Sequence, residues 1–135
     1  MLTMFILPCG NIKYDTAPER AFESAEKVAD EVIIPAHGRL WEMQKPEGWY
    51  GFLYANEWLD QPLIEAIPGA LKSFFDIFVL YKKVRENGIP KFFHVPRLFR
   101  DHVVINETYV PSNFGTYSIE YLINGWVMEH DRNRV

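Results

Sequence analysis

The sequence has little cysteine, no long apolar run and no excess of positive charge. Its one cysteine, Cys9, excludes an internal disulfide and a zinc site built from cysteines. No apolar run approaches the roughly 18 residues that a transmembrane helix needs. The apolar start, Met1 to Pro8, is too short for a signal peptide and lacks the basic flank of one. These absences predict a cytoplasmic protein without a transmembrane segment.

The charge and the size of the chain bear on its partners and on the number of its domains. The 18 Asp and Glu residues outnumber the 14 Lys and Arg residues, so the net charge is −4. This balance disfavours a nucleic-acid partner, because binding to phosphate backbones needs clustered positive charge. The chain has 135 residues, of which 48% are hydrophobic and 16% aromatic, enough to bury a core. With no internal repeat, low-complexity tract or linker, we expect one domain over residues 1–135.

The stretch from Trp49 to Ile67 changes character halfway along. Its first part, Trp49 to Tyr54, is a short apolar and aromatic run, typical of a strand buried on both faces. Polar residues follow abruptly, and Asp60 can then cap a helix that ends at or is interrupted by Pro68. The stretch therefore predicts a strand, a polar turn and a helix. In open α/β sheets, ligands bind where strands end and such turns begin.

The first 35 residues have the pattern of a βαβ unit. Leu2 to Pro8 predicts a buried strand, and a second apolar run covers Val32 to Pro35. Between them Thr16 and Glu19 have the spacing of a capping box, which predicts the start of a helix. Since such units make parallel neighbours, we expect a mixed sheet with parallel strands. Their predicted ranges are Thr3 to Leu7, Val32 to Ile34 and Tyr50 to Tyr54.

The second half of the chain predicts a hairpin and one further helix. Asp76 to Val84 alternates like a strand, and Lys91 to Arg100 fits an antiparallel partner. The Asn87-Gly88 pair between them is a strong signal for a tight turn. Ser118 can cap a short helix that runs through Ile123, after which Gly125 would stop it.

Four partial motifs in chain order resemble family 2 glycosyltransferases. Tyr54-Ala55-Asn56-Glu57 resembles the Asp-Ala-Asp-Glu segment of that family, with Tyr54 and Asn56 in place of its two aspartates. The other three are Asp30 to Gly38, where Ala36 replaces a strand-end Asp; Pro96 to Arg100; and Val103 to Glu107, similar to a Val-His-Glu element. Only Arg39 to Gly48 stands where the family has a further strand and helix, so the resemblance implies a shortened domain.

This resemblance implies a fold and a reaction. The fold would be α/β: a three-layer Rossmann-like, GT-A-type mixed sheet with flanking helices, in one compact domain. The reaction would transfer a sugar from a nucleotide-diphosphate sugar to an acceptor hydroxyl, with inversion. The acceptor, whether glycan, lipid or protein, stays open, and so does a homo-oligomer.

The resemblance also assigns candidate residues. By position, the nucleotide-sugar site would consist of Pro8, Asn11, His37, Asn56 and Glu57. Glu107 is the leading candidate for the catalytic base, since inversion needs a base within reach of the acceptor hydroxyl. Glu57 and His130 could hold Mn²⁺ or Mg²⁺. This metal site is expected to be weak or absent, because hard cations favour carboxylates and Asn56 is neutral. Without a metal, the leaving group could be stabilised by Arg97, Arg100, Arg132 or Lys13.

A different class of function stays open beside transfer. The chain could be a degenerate glycosyltransferase-like domain that binds a nucleotide, a glycan or a protein partner without catalysis. The loss of both aspartates in the Tyr54-to-Glu57 segment and the shortened middle favour this alternative. Tryptophans such as Trp58 and Trp126 would suit sugar stacking, although core packing explains most such residues.

Overall fold

The structure of the protein is a computed structural model that describes residues 1–43 and 46–132. Within these residues the elements comprise seven strands and three short α-helices. The strands are β1 Leu2–Leu7, β2 Glu31–Ile33, β3 Trp49–Tyr54, β4 Glu57–Leu59, β5 Ile77–Glu86, β6 Ile89–Arg100 and β7 Ile119–Glu129. The helices are α1 Ile12–Asp15, α2 Glu19–Glu26 and α3 Gln61–Ala70. Single 3-10 turns lie at Leu40–Glu42 and Phe114–Thr116. None of the described helices is long and apolar enough to cross a membrane.

The strands form one curled, mixed sheet in the order β2-β1-β3-β6-β5-β7-β4. The three predicted parallel strands are confirmed: β1 pairs in parallel with β2 on one side and with β3 on the other. All six residues of β1 are buried, as expected of an apolar strand covered on both faces. The predicted hairpin is also confirmed, since β5 and β6 pair antiparallel across Asn87 and Gly88. Both turn residues have positive φ, as a type I′ turn requires.

The expected three-layer, Rossmann-like GT-A architecture is wrong. The described chain is richer in strand than in helix, and its sheet curls into a half-barrel. Core residues of both longer helices, Ala21 of α2 and Leu63 of α3, belong to one hydrophobic cluster with Met4 of β1. The second cluster instead joins Phe5 of β1 to loop residues such as Val103. Helices therefore pack into one cluster and loops into the other, so the described residues form no second helical layer.

The predicted helix from Ser118 to Ile123 is also wrong. This segment belongs to β7, which pairs in parallel with β5 from Ile119 onward. Strands β5, β6 and β7 are the longest of the sheet, with 10, 12 and 11 residues. Aromatic and β-branched residues such as Tyr121 and Ile123 suit a strand, and pairing with β5 decides the outcome over the local cap signal.

The helix starts show one correct and one incorrect prediction. Asp60 is the N-cap of α3, and its Oδ1 accepts a hydrogen bond from the Leu63 N–H at 3.1 Å. The predicted capping box of α2 is absent: Pro18 occupies the N-cap, and the Thr16 hydroxyl donates to the Ile12 carbonyl. The α3 helix also continues past Pro68 to Ala70, and a short strand, β4, precedes it.

Strands β3 and β6 pair over three residues and then diverge. The last pair joins Gly51 to Leu98. Beyond this pair, two backbone groups of β3 form hydrogen bonds with side chains and not with the backbone of β6. Arg97 Nη1 donates to the Phe52 carbonyl at 3.3 Å, and Glu57 Oε1 accepts from the Tyr54 N–H at 2.8 Å. The divergence leaves an opening beside the carboxyl end of β3, and this opening positions the candidate site.

Candidate functional site

Two adjoining clefts open where β3 and β6 diverge. The polar cleft has a volume of about 470 Å³, and its walls carry amide, charged and aromatic side chains. The aromatic cleft has a volume of about 340 Å³. Residues that line the polar cleft include Asn11, Tyr14, Asn56, Glu129, His130 and Asp131. Residues that line the aromatic cleft include Phe52, Phe93, Arg97, Thr108, Tyr109 and Val110. Tyr54, Lys82 and Arg132 line both clefts, so the two form one continuous surface.

Two adjacent parallel strands bring the predicted asparagines into the polar cleft. Asn11 follows β1, where its side-chain oxygen accepts a hydrogen bond from the Lys13 N–H and caps α1. Asn56 follows β3, and its carbonyl accepts from the His130 N–H at 3.0 Å. The carboxyl ends of parallel neighbours share one sheet edge, which is why these residues meet. The structure thus brings together Asn11, Asn56 and His130 from three distant parts of the sequence.

A chain of alternating charges runs from beneath the clefts to their surface. Its order is Arg97, Glu57, Lys82, Glu129 and Arg132, and we call it the charge ladder. Glu57 is fully buried; its Oε1 lies 2.6 Å from Arg97 Nη1 and its Oε2 lies 2.5 Å from Lys82 Nζ. Lys82 Nζ also lies 2.6 Å from Glu129 Oε1, and Arg132 Nε lies 2.5 Å from Glu129 Oε2. Every charge in the ladder has an opposite neighbour, as burial requires.

The ladder shifts the acidity of its carboxyl groups. Burial opposes ionisation of Glu57, but the charges and hydrogen bonds of Arg97 and Lys82 outweigh burial and lower its pKa from 4.5 to about 2. The pKa of Glu129 is also lowered, because hydrogen bonds from Arg132 and Lys82 outweigh its burial. Both carboxylates are therefore ionised at neutral pH.

These shifts predict a loss of stability in acid. A carboxyl group whose pKa is lower in the folded state stabilises the protein above its ordinary pKa. That contribution disappears as the pH falls from about 4.5 towards about 2. For Glu57 we expect the lost contribution to be on the order of 3 kcal/mol. Urea unfolding at a series of pH values checks this. A stability that stays constant between about pH 5 and pH 2 would contradict it.

An aromatic stack forms one wall of the polar cleft. The His130 ring stacks on Tyr14 with centroids 4.4 Å apart, and it meets Trp58 edge-on at 4.9 Å. The guanidinium carbon of Arg20 lies over the Trp58 ring, 3.5 Å from the ring centroid. Burial, followed by the positive charges of Arg20 and Lys13, lowers the pKa of His130. The imidazole is therefore mainly neutral at pH 7.

The aromatic cleft is lined by rings from β3 and from a loop. Phe52 and Tyr109 lie 5.3 Å apart, and Tyr54 meets Tyr109 edge-on at 6.1 Å. The loop is held by Asn106, whose side-chain oxygen accepts hydrogen bonds from the N–H groups of Thr108 and Val110. These rings offer flat apolar surface beside the cations of the charge ladder.

The remaining predicted residues lie around the polar cleft rather than in it. Pro8 lines a smaller cleft of about 200 Å³ between the ends of β1 and β2. His37 is exposed, and its Nδ1 accepts a hydrogen bond from the Arg39 N–H at 3.1 Å. Glu57 lies under the clefts with both oxygens engaged by cations. Glu107 is exposed on the loop whose next three residues line the aromatic cleft.

Sequence reasoning missed Lys82, Glu129, Tyr14 and Tyr109. Lys82 carried a usable signal, because it occupies a buried position of an alternating strand between Leu80 and Val84. A lysine in such a position needs an acidic partner, and this requirement predicts a buried ion pair. Its partner Glu129 could not be named, because pairing of β5 with β7 is a long-range event.

Across residues 1–43 and 46–132, no three His, Cys, Asp or Glu side chains are grouped to hold a metal ion. The fold is a single curled sheet, and the polar and aromatic clefts at the ends of its parallel strands together form a two-part cleft. No family model, curated protein or solved structure matches this chain. The resemblance to family 2 glycosyltransferases stays a prediction from the motifs.

Proposed function

We propose that the chain binds a nucleotide-diphosphate sugar in the two-part cleft. The observation that carries the proposal is the meeting of Asn11 and Asn56 with Lys82 and Arg132 in one cleft. Amide groups hydrogen-bond to hydroxyls of ribose and sugar, and cations suit a diphosphate. The neighbouring rings offer a surface on which a base or a sugar can stack. Each cleft also has a volume in the range of small-molecule sites.

The chemistry of the strand-end turn favours binding over catalysis. The turn from Tyr54 to Glu57 presents a phenol and a neutral amide to the cleft, while Glu57 is held below it by Arg97 and Lys82. This arrangement suits recognition of hydroxyls and phosphates. It leaves the ladder carboxylates, which are already ion-paired, poorly placed to act as a base.

Nuclear magnetic resonance titration of the whole chain with UDP-glucose and GDP-mannose tests the proposal. We expect chemical-shift changes at Asn11, Asn56 and His130. An Asn56→Ala variant should bind about three to ten times more weakly, the effect of one lost hydrogen bond. Asn124→Ala is the matched control, because Asn124 lies at a separate surface cleft and should change affinity little. Titrations that shift none of these three residues would overturn the proposal.

Sugar transfer is the second candidate function. The observation that favours it is the position of Glu107, next to the loop residues Thr108 to Val110 that line the aromatic cleft. A base has to come within about 3 Å of the acceptor hydroxyl. Hydrolysis and transfer assays with and without Mn²⁺ would separate transfer from binding alone. If transfer occurs, Glu107→Gln should abolish most of it while nucleotide-sugar affinity stays unchanged.

A further inference from the structure

Both acidic members of the charge ladder have their oxygens occupied. Glu57 Oε1 accepts from Arg97, and Glu57 Oε2 accepts from Arg97 and Lys82. Glu129 Oε1 accepts from Lys82 and Arg132, while Glu129 Oε2 accepts from Arg132. A metal ion at either carboxylate would have to displace an ammonium or a guanidinium group. Displacement of Arg97 or Lys82 would also leave a buried cation without its partner, which is costly.

The other candidate ligands do not compose a site for Mn²⁺ or Mg²⁺ either. These hard cations prefer several carboxylate oxygens with near-octahedral geometry. At the strand end, Tyr54 supplies a phenol, and burial raises the pKa of that group further. Asn56 supplies only a neutral carbonyl. His130 could supply one ring nitrogen, a donor that Mn²⁺ and Mg²⁺ prefer less than carboxylate oxygens. The donors present therefore do not fit the metal that the resemblance implies.

The cations of the ladder, in contrast, have donors left over. Lys82 has three N–H donors, and two of them point to Glu57 and Glu129. Arg132 has five, and its described hydrogen bonds use Nε and Nη2. The two side chains flank the same oxygen, Glu129 Oε1, at 2.6 Å and 2.9 Å. They therefore stand side by side, and both line the two clefts.

The burial of Lys82 strengthens its attraction for phosphate. The charges around the clefts are otherwise balanced, because Asp131 lines the polar cleft and the charge of Glu86 acts on Arg132. Lys82 is only 9% exposed at its side chain, so water screens its charge little. Such an environment strengthens hydrogen bonds from cations to phosphate oxygens.

We propose that Lys82 and Arg132 hold the diphosphate of the bound nucleotide in place of a divalent metal ion. This inference rests on the proposed function, since it concerns the same cleft and the same ligand. The guanidinium of Arg132 has the flat, forked shape that suits two phosphate oxygens, whereas Lys82 acts as a point charge below it. Nucleotide binding is then independent of divalent metal and dependent on Arg132.

The experiment is isothermal titration of the full chain with UDP, UMP, GDP and GMP, in EDTA and again in Mn²⁺. We expect the diphosphate that binds to have the same affinity in both conditions. Arg132→Gln should weaken diphosphate binding about tenfold to a hundredfold, the effect of lost charge-assisted hydrogen bonds. It should also reduce the gain in affinity from monophosphate to diphosphate, which a merely structural role would not change.

Arg39→Gln is the matched control, because Arg39 is an exposed arginine before the 3-10 turn Leu40–Glu42 and lines neither cleft. Its affinity should stay within about twofold of the parent chain, since surface charges away from a site have small effects. Thermal unfolding verifies that both variants fold. Diphosphate binding that needs Mn²⁺, or that survives Arg132→Gln unchanged, would overturn this inference and leave the proposed function standing. Failure of every nucleotide to bind would overturn both.

Discussion

Glu57→Gln should lower the free energy of unfolding by about 3 to 5 kcal/mol, the usual effect of breaking a buried ion pair. Glu57 is fully buried and neutralises Arg97 on one side and Lys82 on the other. Glutamine keeps the shape but removes the charge, so Arg97 loses its acidic partner in a buried position. The melting temperature should fall by roughly 10 °C or more. Chemical and thermal unfolding measure the effect.

Glu23→Gln is the matched control, because Glu23 lies exposed on α2 and should change stability by less than about 0.5 kcal/mol. A second comparison separates the ion pair from the space that it fills. The double variant Glu57→Leu with Arg97→Met removes both charges, and such replacements are often neutral. It should be more stable than Glu57→Leu alone. A loss below about 1 kcal/mol in Glu57→Gln would show that the pair is far weaker than its geometry indicates.

Gly51→Ala should destabilise the protein by about 1 to 3 kcal/mol or more, the usual cost of overpacking. A Cβ at this position would lie 2.4 Å from the Arg97 carbonyl oxygen, and 2.9 Å from both Leu98 Cδ2 and Met4 Sδ. Because a backbone oxygen is the nearest atom, rotation of a side chain cannot relieve the overlap. Strands β3 and β6 would have to move apart at their last pair, Gly51 with Leu98.

Gly69→Ala provides a control of the same chemistry. Gly69 lies in α3, and apart from its chain neighbours and the backbone of its own helix no atom lies within 4 Å of the Cβ that alanine would add. Alanine should stabilise this helix by roughly 0.5 to 1 kcal/mol. Equilibrium unfolding of both variants measures the contrast. If Gly51→Ala proved as stable as Gly69→Ala, the close approach of β3 to Arg97 would not be a real constraint on the sheet.

The elements that sequence predicted correctly depend on local chemistry. Asp60 caps α3 through its own side chain, and Asn87 with Gly88 turns the chain with positive φ at both positions. The three parallel strands were also predictable, because each is an apolar run separated from the next by a crossover. Such signals need no knowledge of the rest of the molecule.

The errors come from long-range pairing. The Ser118 segment has a cap signal, yet its pairing with β5 places it in a strand. The three-layer fold failed because one side of the sheet is covered by loops, including Val103 and Ile105, that show no helical periodicity. In the site, Asn11 and Asn56 could be predicted because ligands bind at the carboxyl ends of strands in open α/β sheets. The contact of Lys82 with Glu129 required the order of the strands, which no local pattern contains.

The position of β4 determines when the binding surface can form during folding. Only two residues separate β4 from β3, yet its partner in the sheet is β7, about half the chain away. As the ribosome releases the chain, Asn11 and Asn56 emerge before Glu129, His130 and Arg132. Until β7 docks, β4 has no strand to pair with among the described strands. Lys82 then has Glu57 beside it but not Glu129. The charge ladder therefore forms late, and nascent chains that stop before β7 should lack the polar cleft.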